Sequence, residues 1–455
     1  MKRAILATML LAGCYSLAPS YERPASPVGN LPGGQGSASA PQHLATFVRE
    51  PKLREILTRV VAQNRTLRRS VLDIEAARQL YRIQRAQTLP AIDAGVGVTA
   101  TRALVGTGDN ATARFTQYSA TVGLASWEID LFGRLKSLSD AKLQSYFAAI
   151  EAAKAARISL VAETATAYVA LGADRSRLVI AKETMATSQK AMDLTEQLVG
   201  GGTSNRGDYW QAATVFQQAR GDVALLTAAI AQDKNALELL AGGPLDDSLL
   251  PAELPAQLDW FAEVPVGLAS TVLLERPDVL AAEHDLMAAN ANIGAARAQF
   301  FPSLTLTASG GLASVALAAL FTGPAAVFTI APGLALPLFR GGANRANLAY
   351  TEVQKEAFVA AYELAIQTAF REVADALATR GTIDEALAAQ VALVEAASKA
   401  LELSQARYKA GVDTFLQTLV SERALYAAKN SLVATKLSAL GNRVTLYRVL
   451  GGGLD

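Results

Sequence analysis

The chain has 455 residues, and its 42 basic and 41 acidic residues leave a formal net charge of +1. This near-neutral balance gives no indication of nucleic-acid binding, and a single cysteine excludes an intrachain disulfide or a site built from two thiolates. Hydrophobic residues make up 51% of the chain and aromatic residues only 6%, so much of the apolar content is alanine, which favours long and closely packed helices.

The N-terminus has the pattern of a bacterial export signal. Lys2 and Arg3 precede an apolar stretch, and the sequence Leu-Ala-Gly-Cys ends at Cys14. We therefore predict a lipoprotein signal peptide over residues 1–13 and covalent lipidation of Cys14, because this sequence is similar to a lipobox. Tyr15 follows where an inner-membrane retention signal carries aspartate, which favours the outer membrane. A plain signal peptide with an incidental cysteine is the alternative.

The rest of the chain is built twice. The segment from Arg85 to Pro90 is echoed by the segment from Arg297 to Pro302, and further pairs follow in the same order at nearly constant spacing. These pairs are Leu131-Phe132-Gly133 with Leu338-Phe339-Arg340-Gly341, Gly202 with Gly411, and Gly242-Gly243 with Gly451-Gly452. Such an ordered set of correspondences indicates a tandem duplication.

The duplication sets the predicted domain organisation. Residues 14–42 are rich in Pro, Gly and Ser and are predicted to form a lipidated, extended tether. The first structural repeat is predicted over residues 43–243, an inter-repeat segment over 244–270, and the second repeat over 271–455. Two copies of about 200 residues are much longer than solenoid repeats, so we expect one interlocked body with internal pseudo-symmetry.

Each repeat has the same order of elements. A helix stops at the proline that ends each echoed segment, because proline lacks an N–H and disfavours helical geometry in the preceding residue. Apolar residues then alternate with small polar residues, which predicts β-hairpins over about residues 91–127 and 303–337. Long runs without proline follow and reverse at glycines, which predicts antiparallel helical hairpins over about residues 135–242 and 342–450.

The hairpin pattern, with one apolar face and one small polar face, is typical of strands between lipid and water. Two alternatives stay open. One is an ordinary hairpin on a soluble core, and the other is a transmembrane helix, because no charged residue occurs between Pro302 and Phe339. Four strands cannot close a barrel, and open strand edges are not stable in lipid. We therefore expect several copies to assemble, and the residues alone allow two, three or more.

The duplication, the segment from Trp127 to Arg134, the two Ala-Gln-x-x-Pro helix ends and the terminal Gly451-Gly452-Gly453 resemble the TolC-like outer-membrane factors. The resemblance is to the lipoprotein branch that serves resistance-nodulation-division (RND) multidrug efflux pumps. It implies a mainly α protomer with a small β part, forming a homotrimer with a 12-stranded β-barrel and a periplasmic α-helical barrel. A midsection belt would take residues 43–60, 244–270 and the C-terminal residues.

The resemblance also implies a function. The chain would be the outer-membrane exit duct of a tripartite efflux system, anchored by the lipid on Cys14 and extending into the periplasm. It would passively conduct substrates delivered by an inner-membrane RND-type transporter and a periplasmic adaptor protein. A type I protein-secretion duct and a structural coiled-coil lipoprotein of the envelope are the alternatives.

No catalytic motif is found in the sequence. It contains neither a phosphate-binding loop nor a nucleophile elbow, and its two histidines, His43 and His284, lie far apart without a companion motif. We therefore expect no enzymatic activity, no metal site and no cofactor other than the covalent lipid.

The family's gate lies where the long helices reverse, and acidic residues ring its constriction. Counting from the reversal glycines, the resemblance places candidate gate residues in both repeats. They are Gly202, Asn205, Asp208 and Gln211 in the first repeat, and Gly411, Asp413, Thr414, Gln417 and Val420 in the second. Gln417 and Val420 stand where relatives often carry aspartate, so a weaker or apolar gate is expected there. Helix capping is an alternative role for Asp208 and Asp413.

Overall fold

The computed structural model describes residues 16–29, 43–104, 112–202, 205–263 and 270–453. The predicted signal peptide, Cys14 and much of the predicted tether lie outside these described residues. The contacts of the chain divide it into two compact units. We call them the sheet unit, which comprises residues 1–25, 73–150 and 281–363, and the helical unit, which comprises residues 26–72, 151–280 and 364–455.

The chain is mainly helical with one small sheet, as the sequence predicted. The helices are α1 (Leu44–Phe47), α2 (Pro51–Gln63), α3 (Arg65–Ala86), α4 (Arg134–Gly200), α5 (Arg206–Ala241), α6 (Pro277–Ala298), α7 (Ala343–Lys409) and α8 (Phe415–Val449). The strands are β1 (Ile92–Leu104), β2 (Thr112–Ile129), β3 (Ser303–Ser314) and β4 (Ala326–Ala335). Within the described ranges, no helix combines the length and apolar character needed to cross a membrane.

The four strands form one antiparallel sheet in the order β1-β2-β3-β4. The two predicted hairpins are confirmed, and β2 pairs with β3 to join them, with Leu124 opposite Ala308. A bulge between Leu124 and Trp127 shifts this register, and Ser126 there adopts a φ of 51°. The uncharged stretch after Pro302 therefore forms strands and short turns, and the alternative of a transmembrane helix is wrong.

The sheet has two chemically different faces. Side chains alternate between the faces of a strand, and the register places most of the large apolar side chains of the four strands on one face, with Phe115 and Val327 on the other. This apolar face includes Ile92, Val96, Val98, Val122, Leu124, Leu304, Leu306, Leu312, Phe328, Ile330 and Leu334. It is largely exposed, with 86% of Val96 and 83% of Phe328 accessible to solvent. The opposite face carries mainly Gly, Ser, Thr and Gln.

The helical unit has a core of stacked aromatic rings. Phe47 of α1 stacks on Tyr447 of α8 with ring centroids 4.3 Å apart and on Phe261 at 5.2 Å. Tyr168 of α4 packs against Trp260 at 5.2 Å. The segment between the repeats thereby packs against α1 and α4 of the first repeat, and Phe47 in turn contacts α8 of the second.

A buried arginine ties the start of the second repeat to its end. The Arg276 guanidinium donates to the Val449 carbonyl at 2.8 Å, to Glu372 at 2.9 Å and to both oxygens of Asp278. A buried cation is stable only when its donors are satisfied in this way. Its partners lie in α6, α7 and α8, so this one side chain holds three helices together.

Candidate gate and lipid-anchor sites

The first helix reversal contains four of the candidate gate residues. Gly202 adopts a φ of +73°, a left-handed conformation that favours glycine, between the end of α4 and the start of α5. The Asn205 side chain accepts a hydrogen bond from the Asp208 backbone N–H at 3.0 Å, so Asn205 is the capping residue. Asp208 instead lies in the first turn of α5, where a carboxylate interacts favourably with the helix dipole.

The second reversal is held by an ion pair. Gly411 adopts a φ of +71°, and both oxygens of Asp413 accept hydrogen bonds from Arg407, at 2.6 and 3.0 Å. The bonds from Arg407 lower the pKa of Asp413. Thr414 occupies the cap position of α8 without a side-chain cap bond. Asp413 is therefore neither the cap of α8 nor an isolated negative charge.

The candidate gate residues of α8 form a stripe. Thr414, Gln417 and Val420 follow one another at three-residue spacing and are all exposed, as residues on one side of a helix are. Of the residues between them, Phe415, Thr418 and Leu419 are buried, and two of these belong to a small core shared by the two reversals. This core comprises Ala212 and Val215 of α5 and Phe415 and Leu419 of α8.

The starts of α5 and α8 are thus brought together, and at equivalent positions of the two repeats. The Arg423 guanidinium of α8 bonds to the Thr214 hydroxyl of α5, and these residues are 209 positions apart, the same offset as between the reversal glycines. Asp208 and Gln211 are half-buried, unlike the exposed stripe on α8. The two repeats therefore present different surfaces at their reversals.

Three charged residues at this site, Arg407, Glu422 and Arg423, were not predicted from the sequence. Arg407 pairs with Asp413, as described above. Glu422 of α8 is only 7% exposed, its Oε1 has no hydrogen-bond partner among the residues that the structure describes, and burial raises the pKa of its carboxyl group. Its position three residues after Leu419, on the buried stripe of α8, was the signal that would have identified it.

The segment containing Trp127 forms the junction between strand and helix in the sheet unit. Glu128 makes a two-pronged ion pair with Arg134, with Nε–Oε1 at 2.8 Å and Nη2–Oε2 at 2.5 Å. Asp130 accepts from the Lys136 backbone N–H at 2.8 Å, which caps α4. The Trp127 indole donates to the Thr88 carbonyl at 3.3 Å. This motif therefore stabilises the change from strand to helix.

Residues 16–23 of the predicted tether lie along α6 in the sheet unit, and we call them the strap. Its contacts run antiparallel to the helix. The Arg297 guanidinium donates to the Leu17 carbonyl at 3.4 Å, the Asn290 amide donates to the Pro19 carbonyl at 2.8 Å, and Arg23 and Tyr21 both donate to Glu283 at 2.7 and 3.0 Å. A Cβ at Gly294 would lie 2.6 Å from the Ala18 backbone nitrogen, so this position requires glycine.

The strap has the length that its path along the helix demands. From Glu283 to Arg297 the helix rises about 21 Å, and from Leu17 to Arg23 an extended chain covers about 20 Å. At the other end, the Ser16 hydroxyl contacts the Ser137 hydroxyl at 3.1 Å, in the first turn of α4. The chain two residues after Cys14 is therefore fixed beside the strand-to-helix junction.

In the part of the chain that the structure describes, no group of three or more His, Cys, Asp or Glu side chains is arranged to hold a metal ion. His284 contacts the Gln144 side chain at 2.7 Å and the Phe147 ring at 5.5 Å. These are contacts of a packed helical interface, in agreement with a structural role.

Curated relatives match the chain over nearly its whole length. The solvent efflux pump outer membrane protein SrpC of Pseudomonas putida is 42% identical over 99% of this chain and 97% of its own length. The outer membrane protein OprJ of Pseudomonas aeruginosa is 39% identical over 99% of this chain and 95% of its own.

Solved structures agree in fold. A membrane protein of Pseudomonas aeruginosa superposes with a TM-score of 0.90 at 39% identity, covering 96% of this chain and 98% of that one. The open-state MtrE outer membrane channel of Neisseria gonorrhoeae gives a TM-score of 0.84 at 36% identity, covering 97% and 99%.

The sequence profile described as "Outer membrane efflux protein" matches residues 56–243 and 268–452. These two segments fall one in each half of the duplicated chain and together cover most of it. With the two-faced sheet, the paired helix reversals and the relatives that match from end to end, they show that the chain belongs to the outer membrane efflux protein family.

Proposed function

We propose that this chain is the exit duct of a tripartite efflux system in the outer membrane. It passively conducts substrates that an inner-membrane RND-type transporter and a periplasmic adaptor protein deliver. The observation that carries the proposal is the sheet, in which most large apolar side chains share one exposed face while the other face carries mainly small polar side chains. Lipid on one side and a water-filled lumen on the other fit these two faces.

The edges of the sheet support an assembly of several copies. β1 and β4 are its outer strands, and an open strand edge in lipid leaves backbone N–H and C=O groups without partners. Four strands are too few to close, whereas three copies supply twelve, which is within the range of closed barrels. We propose a homotrimer in which β1 of one copy pairs with β4 of the next.

The strap supports a lipid anchor at Cys14. It holds the chain beside the strand-to-helix junction of α4, where the periplasmic surface of the membrane would lie. A lipidated Cys14, two residues before Ser16, would be within reach of that surface without a spanning helix. We propose that residues 1–13 are removed and that Cys14 carries the lipid.

We propose that the two helix reversals form the gate of the duct, with Asp208 as the residue that influences passing ions. Asp208 carries its charge in the first turn of α5, whereas the exposed stripe of α8 carries a threonine, a glutamine and a valine. Asp208→Asn should therefore reduce the cation-to-anion permeability ratio by roughly a few-fold, since a unit charge acts on a nearby ion with about 1 kcal/mol in water.

Single-channel recordings in planar bilayers under a salt gradient measure this ratio. The control is Asp193→Asn, which removes the same charge from an exposed position on α4. An unchanged ratio in the Asp208→Asn channel contradicts the proposed role.

The efflux function is tested by the retention of compounds inside cells. The host lacks this gene and its other outer-membrane factors, so that no second channel substitutes. The panel contains antibiotics, dyes and organic solvents, including toluene. Relatives are named as outer membrane proteins of solvent, toluene and antibiotic efflux pumps. We expect high retention in this host and lower retention when this gene alone is restored.

Unchanged retention across the panel, with the protein present in the outer membrane, contradicts the efflux duct. Loss of a secreted protein from the medium of the same strain, with normal retention, would favour the protein-secretion duct instead. A structural envelope lipoprotein predicts no change in either measurement.

A further inference from the structure

Two arginines interrupt the apolar face of the sheet. Arg102 of β1 lies directly opposite Arg114 of β2. The same register places Ile92 opposite Leu124. Arg102 lies ten positions from Ile92 on β1, and Arg114 lies ten positions from Leu124 on β2. Because side chains alternate along a strand, the two guanidinium groups lie on the apolar face, at the end of the sheet next to the turn that joins β1 to β2.

Their position along the strand matches the edge of a membrane. Arg102 follows Ile92 by ten positions, or about 33 Å at the usual rise of a strand. With the usual strand tilt this corresponds to a height of about 25 Å, close to that of the apolar band on membrane barrels. The arginines therefore lie where hydrocarbon gives way to lipid headgroups.

The charge at this end of the sheet is positive. Like charges at directly opposed positions repel. The sequence places one carboxylate, Asp109, in the joining turn, and no charged residue occurs from Pro302 to Phe339 in the second hairpin. A neighbouring copy that adds β4 beside β1 would thus bring no carboxylate from that hairpin.

We propose that Arg102 and Arg114 form a binding site for the phosphate of a lipid headgroup in the outer leaflet. The inference rests on the proposed function, because it takes the strand turns to lie at the outer surface. A planar guanidinium matches a phosphate through two parallel hydrogen bonds. A phosphate shared by both arginines turns their mutual repulsion into a common attraction and holds the lipid at the rim of the apolar face.

The binding test uses the full-length protein purified in detergent and three separate probes. These are lipid A with both phosphates, dephosphorylated lipid A, and inorganic phosphate. We expect saturable binding of the phosphorylated lipid alone. The double variant Arg102→Gln/Arg114→Gln should bind it more weakly by roughly tenfold for each guanidinium removed. The control Arg65→Gln/Arg68→Gln removes two exposed charges from α3 and should bind as the parent protein does.

Several outcomes overturn the proposal. Equal binding of the two lipids, or unchanged binding by the double variant, shows that the arginines do not recognise the phosphate. Inorganic phosphate binding as tightly as the lipid shows a site for the free ion.

A second variant covers the case in which the glutamine variant fails to assemble. Arg102→Lys/Arg114→Lys keeps both charges but loses the two-pronged geometry, and we expect it to assemble and to bind the phosphorylated lipid more weakly than the parent. Parent-like binding by an assembled lysine variant contradicts the guanidinium geometry.

Retention of the panel compounds in cells that carry the same variants separates this inference from the proposed function. If the parent protein supports normal efflux but shows no phosphate-dependent lipid binding, the lipid site is contradicted and the efflux function stands. If the parent protein binds the lipid in a phosphate-dependent way but restores no efflux, the proposed efflux function is contradicted and the lipid site stands.

Discussion

At the scale of single residues, the sheet provides a sharp comparison between two adjacent glycines. A Cβ on Gly311 would lie 2.2 Å from the Ala120 carbonyl oxygen and 2.6 Å from Thr121 Cα, whereas a Cβ on Gly310 meets nothing within 4 Å. Gly311→Ala should therefore push β2 and β3 apart, at a cost of at least about 1–3 kcal/mol. Gly310→Ala should be tolerated.

The measurement is the amount of folded, heat-resistant oligomer in outer-membrane extracts on gels run without boiling. We expect a clear loss for Gly311→Ala and a parent-like amount for Gly310→Ala. Equal amounts for the two variants would show that the pairing of β2 with β3 is not as tight as the structure indicates.

Glu422 predicts a particular dependence of stability on pH. Burial raises the pKa of this carboxyl group in the folded protein above its ordinary value of 4.5. At pH values between the ordinary pKa and the raised one, the folded protein therefore binds more protons than the unfolded chain. The contribution of Glu422 to stability therefore falls as pH rises through that window and stays low above it. Glu422→Gln removes this titration.

Melting curves from pH 4 to 8 check the prediction. The Glu422→Gln protein should melt at a higher temperature than the parent at neutral pH, and the difference should shrink as the pH approaches 4.5. Glu402→Gln, at an exposed position on α7, should show no such trend. A constant difference at all pH values would contradict the buried carboxylate.

Some single residues of the helix reversals could be predicted from the sequence, and others could not. The reversal glycines Gly202 and Gly411 were identified from repetition alone, and both adopt the left-handed geometry that glycine permits. The pairing of Asp413 with Arg407 was not predicted, because two residues on either side of a turn face each other only once the turn has its shape. Their sequence spacing alone does not distinguish that arrangement from two solvated side chains.

At the scale of elements, the strap is the feature that the sequence described least well. A segment rich in Pro, Gly and Ser predicts an extended chain, and the strap has the length of one. Nothing in its composition indicates that it lies on α6, because the partners Glu283 and Asn290 belong to the second repeat. The strands were predictable from their alternation of apolar and small polar residues, and the long helices from long runs that no proline interrupts.

The strap predicts a stability effect at Glu283. This carboxylate is 4% exposed and accepts from both Arg23 and Tyr21, so Glu283→Gln loses a charge-assisted, two-pronged contact. We expect a loss of about 1–3 kcal/mol and faster hydrogen exchange in residues 16–23.

Hydrogen exchange followed by mass spectrometry measures the release of the strap directly. Glu356→Gln, at an exposed position of α7 in the same unit, is the control and should change stability by no more than about 0.5 kcal/mol. Parent-like protection of the strap in the Glu283→Gln protein would show that this contact does not hold it.

At the scale of the whole molecule, the sheet edges predict how copies meet. The chain has a single native cysteine, Cys14. A disulfide between two introduced cysteines therefore shows that the two chosen positions lie close together. A cysteine replacing Val96 on β1 is combined in turn with one replacing Ala326, Phe328 or Ile330 on β4. All four positions lie on the apolar face, and a disulfide forms only when two Cβ atoms come within about 4.5 Å.

If β1 of one copy pairs with β4 of the next in a closed ring of three, one combination should give a covalent trimer on denaturing gels. The single variant Val96→Cys should stay monomeric. The pair Val122→Cys/Gly310→Cys, at opposed positions of β2 and β3, should link only within a chain. Covalent dimers without trimers, or a ladder that extends beyond three chains, would contradict a closed barrel of twelve strands. A closed ring alone satisfies both exposed edges of every copy at once, whereas an isolated chain leaves the edges of β1 and β4 without partners in lipid.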